Sequence, residues 1–138
     1  MITFVPHLPH KTELYQLFQT TGWDGIIQLS ESKIYEAVST SWFTVSAYHH
    51  QDLVGFGRVL SDGVFQSFIC DLIVHPGYQK QGIGSSVLKA LLLQCKNHHI
   101  VSVQLCCAQG KAEFYKKFGF MQRSSVAPGM YWLNRDLG

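Results

Sequence analysis

Residues 74–86, VHPGYQKQGIGSS, have the composition of an anion-binding turn. The apolar run before this segment predicts a strand and the run after it predicts a helix, so its glycines lie where a helix begins. The first turn of a helix carries unpaired N–H groups and a partial positive charge, and glycines let a ligand approach them closely. We therefore interpret Gly82 and Gly84 as part of a pyrophosphate cradle, although a plain strand-to-helix turn stays open on the glycines alone. Further side-chain donors are available on Gln79, Lys80, Ser85 and Ser86.

Two other glycine-rich phosphate motifs do not fit this segment. A P-loop requires lysine and a hydroxyl residue after its second glycine, but Ile83 and Gly84 follow Gly82. A dinucleotide fingerprint requires a third glycine where this chain has Val87. Its strand should also begin a βαβ unit, whereas the strand here ends a predicted meander.

Two residues beside the cradle could move protons. Asp71 lies in the otherwise apolar run FICDLIV (residues 68–74). A carboxylate in such a strand is costly unless it is paired or used, so it is a candidate base or amine-binding residue, or it is satisfied by backbone groups or by Arg58. His75 stands at the strand end, and an imidazole suits proton transfer near neutral pH. A histidine in a turn is otherwise simply solvated.

The elements that must position these residues follow the order β α α β β β α β α β, which predicts a mixed α+β domain around one sheet. Residues 61–63, Ser-Asp-Gly, predict a hairpin turn. A helix after the cradle that leads to a further strand is a crossover, so that strand should run parallel to residues 64–74. The predicted strands are residues 2–5, 42–49, 52–60, 64–74, 100–106 and 130–137, and the predicted helices are residues 10–22, 30–39, 82–95 and 111–118.

Composition restricts the class of protein. The 138 residues suit a single domain over residues 1–138, and 46% hydrophobic residues allow a substantial core. A net charge of +2 is too small to indicate nucleic-acid binding. We expect no membrane partner, because no apolar run approaches the length of a span. The N-terminal residues show no basic region followed by an apolar one, so we expect a cytoplasmic protein.

The thiols and imidazoles do not form a recognisable metal motif. Four cysteines occur without a C-x-x-C pair, and all lie in apolar runs, which predicts buried free thiols. The seven histidines lack zinc-site spacing with these cysteines, so we expect no metal. The cysteines are Cys70, Cys95, Cys106 and Cys107.

Two motifs in the same order carry a family resemblance. QKQGIG (residues 79–84) matches the pattern [QR]-x-x-G-x-[GA], and AEFYKKFGF (residues 112–120) is similar to an fY-x-x-x-GF element. In both motifs, and in its order of elements, the chain resembles the GNAT superfamily of acetyl-CoA-dependent N-acetyltransferases. The resemblance implies a GNAT fold: a mixed, mostly antiparallel central sheet of about six to seven strands flanked by about four helices.

The resemblance also implies roles for particular residues. Tyr115 would be the general acid that protonates the leaving thiolate of coenzyme A. Many family members have an asparagine after the fifth strand, where Gln109 or Lys111 must substitute here or the contact is absent. The pantetheine arm would pair with main-chain groups of Leu72, Ile73 and Val74. The pyrophosphate would bind backbone amides of Gln79, Lys80, Gln81, Gly82, Ile83, Gly84 and Ser85.

The expected reaction is direct attack of a primary amine on acetyl-CoA, with Asp71 or His75 as base and a small-molecule amine as the favoured acceptor. A backbone N–H near Val74 can hold the thioester carbonyl. An acetyl-cysteine intermediate at Cys106 or Cys107 is disfavoured, because no His–acid partner is evident. A non-catalytic acyl-CoA-binding module is the alternative, and a homodimer stays open.

The acceptor is less well specified. The segments APGMYWL and DGVFQSFICDLIVHPGYQKQGIG are similar to those of plant-type arylalkylamine acetyltransferases and their bacterial relatives. Such an acceptor would need an aromatic pocket, for which Trp23, Trp42, Tyr131 and Trp132 are candidates.

Overall fold

A computed structural model of the chain describes residues 1–23 and 28–134. The chain divides into two compact units, Met1–Leu105 and Cys106–Gly138. The first unit contains the central sheet, and the second contains a short helix followed by irregular chain. The expectation of a single domain over residues 1–138 remains a prediction.

The first unit is built on one five-stranded sheet with its strands in sequence order. Strands β1 to β4 pair antiparallel, and β4 pairs parallel with β5. The α+β class, the meander and the parallel crossover are therefore confirmed. The strands are β1 (Ile2–Val5), β2 (Phe43–His49), β3 (Asp52–Ser61), β4 (Gln66–Val74) and β5 (Ser102–Gln104).

The expected strand count of six to seven is too high for the described residues, which form five strands. The predicted strand over residues 130–137 accounts for the difference. Its described part, residues 130–134, pairs with no strand, and the remainder lies outside the described residues. Apolar and aromatic composition predicted a strand, but a strand forms only where a partner backbone supplies hydrogen bonds.

Four α-helices occur in the described residues; three lie within predicted helical segments, and α3 extends two residues beyond the predicted segment 82–95. Ser30 caps the second helix, because its Oγ accepts from the Lys33 amide at 3.2 Å. A short 3₁₀ turn, Pro76–Tyr78, precedes the third helix. The helices are α1 (Lys11–Gln19), α2 (Glu31–Ser39), α3 (Ile83–Asn97) and, in the second unit, α4 (Ala112–Lys116).

The predicted hairpin turn between β3 and β4 is present. The Asp62 carboxylate accepts from the amides of Val64 and Phe65 at 2.8 and 2.9 Å. These bonds, with Val64 the strongest, lower the pKa of Asp62. Because the turn uses both amides, β4 begins at Gln66 instead of residue 64.

Helix α3 packs directly on the backbone of β3. A Cβ atom added to Gly57 would lie 2.8 Å from Cγ1 of Val87 and 2.9 Å from Cδ1 of Leu91. Val87 and Leu91 are fully buried. On the other face of the sheet, Leu14, Val38 and Phe56 belong to a core that joins α1 and α2 to the strands. Any side chain at position 57 would therefore collide with α3.

The expected burial of the cysteines is correct for half of them. Cys95 is buried and Cys70 is partly buried, whereas Cys106 and Cys107 are exposed free thiols. The prediction of burial from apolar sequence context is wrong for Cys106 and Cys107, because β5 ends at Gln104 and the chain after it is irregular. Within the described chain, every helix is too short or too polar to cross a membrane.

Candidate functional site

Strand β4 contains a β-bulge at Asp71. Phe56 of β3 pairs with Ile73, and Arg58 pairs with Cys70, so β4 has one more residue than β3 between these pairs. Asp71 takes a positive φ of 57°, which side-chain-bearing residues adopt at a cost and Asp tolerates better than most. The bulge turns the second half of β4 away from its initial direction.

The edge of β4 is open beyond this point. Strand β5 pairs with β4 only at Gln66, Ser67 and Phe68, and no described residue pairs along the rest of that edge. Unpaired N–H and C=O groups on a strand edge accept an extended ligand as an additional strand. The predicted arm-binding residues Leu72, Ile73 and Val74 lie in this open half of β4.

Three hydrogen bonds hold the turn that follows β4. His75 Nδ1 accepts from the Gly77 amide at 3.0 Å, and the Tyr78 amide donates to the His75 carbonyl at 2.8 Å. Gln79 Nε2 donates to the Val74 carbonyl at 3.1 Å. The Gln79 side chain therefore helps to close the turn.

The first turn of α3 presents free amides. Gly82 is the N-cap with φ 81° and contributes no side-chain cap. The first hydrogen bond of the helix joins the Ser86 amide to the Gly82 carbonyl at 3.0 Å. The amides of Ile83, Gly84 and Ser85 have no acceptor among the described residues. Three free donors at the positive end of a helix suit an anion.

A small cavity of about 120 Å³ lies where α1 and α2 face the strands. Its walls are almost wholly apolar, and Arg58 and Asp71 supply its charged groups. The sequence predicted helices at α1 and α2, but it did not show that they enclose a cavity with Asp71 in its wall. The apolar and aromatic lining residues are Tyr15, Phe18, Trp23, Leu29, Ile34, Ala37 and Val38.

Arg58 and Asp71 form an ion pair at this cavity. Arg58 Nε donates to Asp71 Oδ2 at 2.5 Å, and the two side chains are only 14% and 18% exposed. Arg58 Nη1 also donates to Ser41 Oγ at 3.3 Å and to the Ala37 carbonyl at 3.4 Å. The pairing that the sequence left open for Asp71 is therefore present. The sequence suggested Arg58 only as a structural partner of Asp71, whereas the structure also places it in the wall of the cavity.

His75 lies at the end of β4, as expected, and its Nδ1 is already an acceptor for Gly77. Its ring contacts that of Tyr78 edge-on, with centroids 5.8 Å apart. Tyr78 Oη in turn lies 3.0 Å from His49 Nδ1. His49 and Tyr78 thus tie the turn to the β2–β3 hairpin, a link that sequence spacing did not indicate. A role for His75 as base stays a prediction.

Tyr115 lies in α4 of the second unit. Its ring contacts Phe114 and Phe120 edge-on, with centroids 5.0 and 5.8 Å apart. Burial raises the pKa of Tyr115, and the nearby Cys107 raises this pKa further. A raised pKa keeps the phenol protonated at neutral pH, as a proton donor requires.

Two of the four predicted pocket aromatics, Trp23 and Trp42, belong to the first unit, and they have different surroundings. Trp23 lines the cavity. Trp42 instead contacts the His98 ring edge-on at 5.2 Å. Tyr131 and Trp132 belong to the second unit and are 87% and 82% exposed.

The residues that the structure describes contain no cluster of three or more side chains suited to a metal ion.

Known proteins are similar to this chain in fold and sequence. A family model for an acetyltransferase (GNAT) domain matches residues 40–122. An uncharacterized N-acetyltransferase ycf52 of Pyropia yezoensis is 32% identical over 127 residues, which are 89% of this chain and 71% of that protein. A solved GNAT-family acetyltransferase of Streptococcus pneumoniae TIGR4 is 32% identical, with a TM-score of 0.80 over 99% of this chain and 100% of the other. A probable acetyltransferase of meticillin-resistant Staphylococcus aureus has a TM-score of 0.85 and 27% identity, over 97% and 100% of the two chains.

Proposed function

The chain belongs to the GNAT family of N-acetyltransferases, and from that premise we propose that it transfers the acetyl group of acetyl-CoA to the primary amine of a small molecule. The observation that carries this proposal is the combination of free amides at the start of α3 with the open edge of β4. Both features lie within one compact unit and follow each other along the chain.

Acetyl-CoA fits these two features. The free amides of Ile83, Gly84 and Ser85 would hold its pyrophosphate, with Lys80 as an additional charge. The φ of 81° at Gly82, with no atom within 4 Å of its missing Cβ, leaves the approach to these amides open. The pantetheine arm would pair with the backbone of residues 72–74.

The bulge supports the position of the acyl group. Pairing of the arm along β4 leads toward Asp71, and Asp71 also lines the cavity. An amine in the cavity would therefore lie close to the thioester carbon, and a backbone N–H near Val74 would stabilise the oxyanion.

The reaction balances as follows. The ammonium group first loses a proton to a base, for which Asp71 and His75 are candidates. The amine nitrogen then forms a bond to the thioester carbon, and the C–S bond breaks with its electron pair left on sulfur. The nitrogen loses a second proton as the amide forms. Tyr115 is the proposed donor of a proton to the thiolate, and one proton passes to solvent overall.

The test is a panel of primary amines incubated with acetyl-CoA, followed by mass spectrometry of the acetylated product. We expect at least one small amine to stimulate release of coenzyme A. Tight acetyl-CoA binding without turnover of any amine would instead favour a non-catalytic acyl-CoA-binding module. A cytoplasmic location and a homodimer remain predictions, and light scattering would test the second.

A further inference from the structure

The charged end of the cavity specifies the acceptor more closely than the family does. We propose that the acceptor is a zwitterionic α-amino acid with an apolar side chain, with its carboxylate at Arg58 and its ammonium at Asp71. This inference rests on the proposed function, because it names the acceptor of the same reaction.

Arg58 lines the cavity and has a hydrogen-bond donor to spare. Its Nε and Nη1 are occupied by Asp71, Ser41 and Ala37, whereas Nη2 has no partner among the described residues. No buried side-chain nitrogen or oxygen in the described part of the chain lacks a partner, so Nη2 is accessible to solvent. A guanidinium with a free, accessible N–H group in an apolar cavity suits a carboxylate.

Asp71 offers the complementary group. Its Oδ2 accepts from Arg58, and the neighbouring Cys70 thiol also forms a hydrogen bond with Asp71, but a carboxylate has about four acceptor sites. An ammonium group can therefore bind Asp71 without displacing Arg58. The side chains of Arg58 and Asp71 are in contact, so the two binding groups lie close together. The carboxylate and ammonium of an α-amino acid are also close together, because both are bonded to the same carbon.

The net charge of the pair selects a zwitterion. Arg58 neutralises Asp71, so a simple cationic amine would enter a site without net negative charge and would lie near a like charge. Burying an uncompensated charge is costly. A zwitterion brings no net charge and satisfies both groups. The apolar walls, including Phe18, Ile34 and Val38, favour an apolar side chain on it.

The chemistry of the transfer is unchanged. The α-nitrogen loses one proton before it attacks the thioester carbon and a second as the amide forms, while the C–S electron pair leaves with sulfur. The thiolate takes one proton and the other passes to solvent. The products are an N-acetyl amino acid and coenzyme A.

The experiment compares amino acids with the amines that lack only the carboxylate. L-Phenylalanine is paired with 2-phenylethylamine and L-leucine with 3-methylbutylamine, and kcat/KM is measured from the acetylated product. We expect at least about a tenfold preference for the amino acid in each pair, as a charge-assisted hydrogen bond supplies. In Arg58→Gln the preference should disappear. The control Lys33→Gln changes an exposed charge away from the cavity and should keep it.

Each outcome is informative. Equal or better turnover of the amines by the wild-type protein would overturn the zwitterion proposal and leave the acetyltransferase proposal standing. Turnover of an amine outside these two pairs, with no turnover of either amino acid, would also overturn the zwitterion proposal and leave the acetyltransferase proposal standing. A preference that survives in a folded Arg58→Gln protein would also refute the role of Arg58. If no amine stimulates coenzyme A release, the proposed function fails and this inference fails with it. The wild-type comparison needs no variant, so misfolding of Arg58→Gln cannot mask the result.

Discussion

Arg58 Nε donates to Asp71 Oδ2 at 2.5 Å, and this bond spans the one register irregularity between β3 and β4. Asp71 has a positive φ at the bulge, a conformation that needs support from its surroundings. Arg58 supplies that support and in turn binds Ser41, just after α2. The ion pair therefore joins the bulge, the open edge of β4 and the cavity into one arrangement.

Replacement of Gly82 should weaken the binding of acetyl-CoA more than it destabilises the fold. Gly82→Ala places a side chain at φ 81°, which should cost about 1–2 kcal/mol in the free energy of unfolding. The added methyl group should also obstruct the helix amides and raise the Kd for acetyl-CoA at least tenfold, measured by calorimetry. Gly22→Ala is a matched control, because Gly22 has φ 76° and no atom within 4 Å of its missing Cβ. Equal Kd values for the two variants would contradict the cradle.

Asp71→Asn tests the carboxylate while retaining shape, since Asn also tolerates a positive φ. We expect kcat/KM for the acceptor to fall about 100-fold, in the range for general base catalysis. The Kd for acetyl-CoA should stay within about twofold. Unchanged acceptor kinetics in a folded variant would reduce Asp71 to a structural partner of Arg58.

Tyr115→Phe should lower kcat about 10²- to 10⁴-fold, because the thiolate loses its proton donor. Tyr131→Phe, at an exposed tyrosine of the same unit, should have no effect. The pKa of Tyr115 is raised above its ordinary value of 10, so the donor stays protonated up to that pH. Loss of kcat from Tyr115 ionisation should therefore occur only above pH 10. A decline of kcat at lower pH that disappears in Tyr115→Phe would contradict the raised pKa of Tyr115.

The thiols should differ in reactivity without affecting catalysis. Burial, reinforced by the neighbouring Asp71, raises the pKa of Cys70 to about 11, and burial raises that of Cys95. Cys106 and Cys107 are exposed. Iodoacetamide at pH 7.5 should therefore label Cys106 and Cys107 first, as peptide mapping would show.

The double variant Cys106→Ala/Cys107→Ala should retain most of the turnover. A trapped acetyl-enzyme in the wild type would overturn direct transfer.

The local pattern of residues was enough for much of the fold. Hydrophobic periodicity and the content of aromatic and β-branched residues predicted all five strands and four helices of the described chain. Residues 79–84 predicted an anion-binding turn at a helix start, and α3 does begin there with free amides, because glycine spacing and a helix start are local properties. The C-terminal strand was overpredicted for the same reason, since composition reports strand propensity and not the presence of a partner strand.

The contacts between distant segments were decided by the tertiary structure alone. The sequence showed that Asp71 was unusual in its strand but not that a bulge turns it toward a cavity, because a bulge is a mismatch between two strands. It left the pairing with Arg58 open, since thirteen residues and a hairpin separate the two. The cavity depends on α1 and α2 packing over β3 and β4, and no single segment encodes that packing. The sequence by itself thus determined the family and the position of the predicted anion-binding turn, whereas the tertiary structure decided the charge and shape of the cavity.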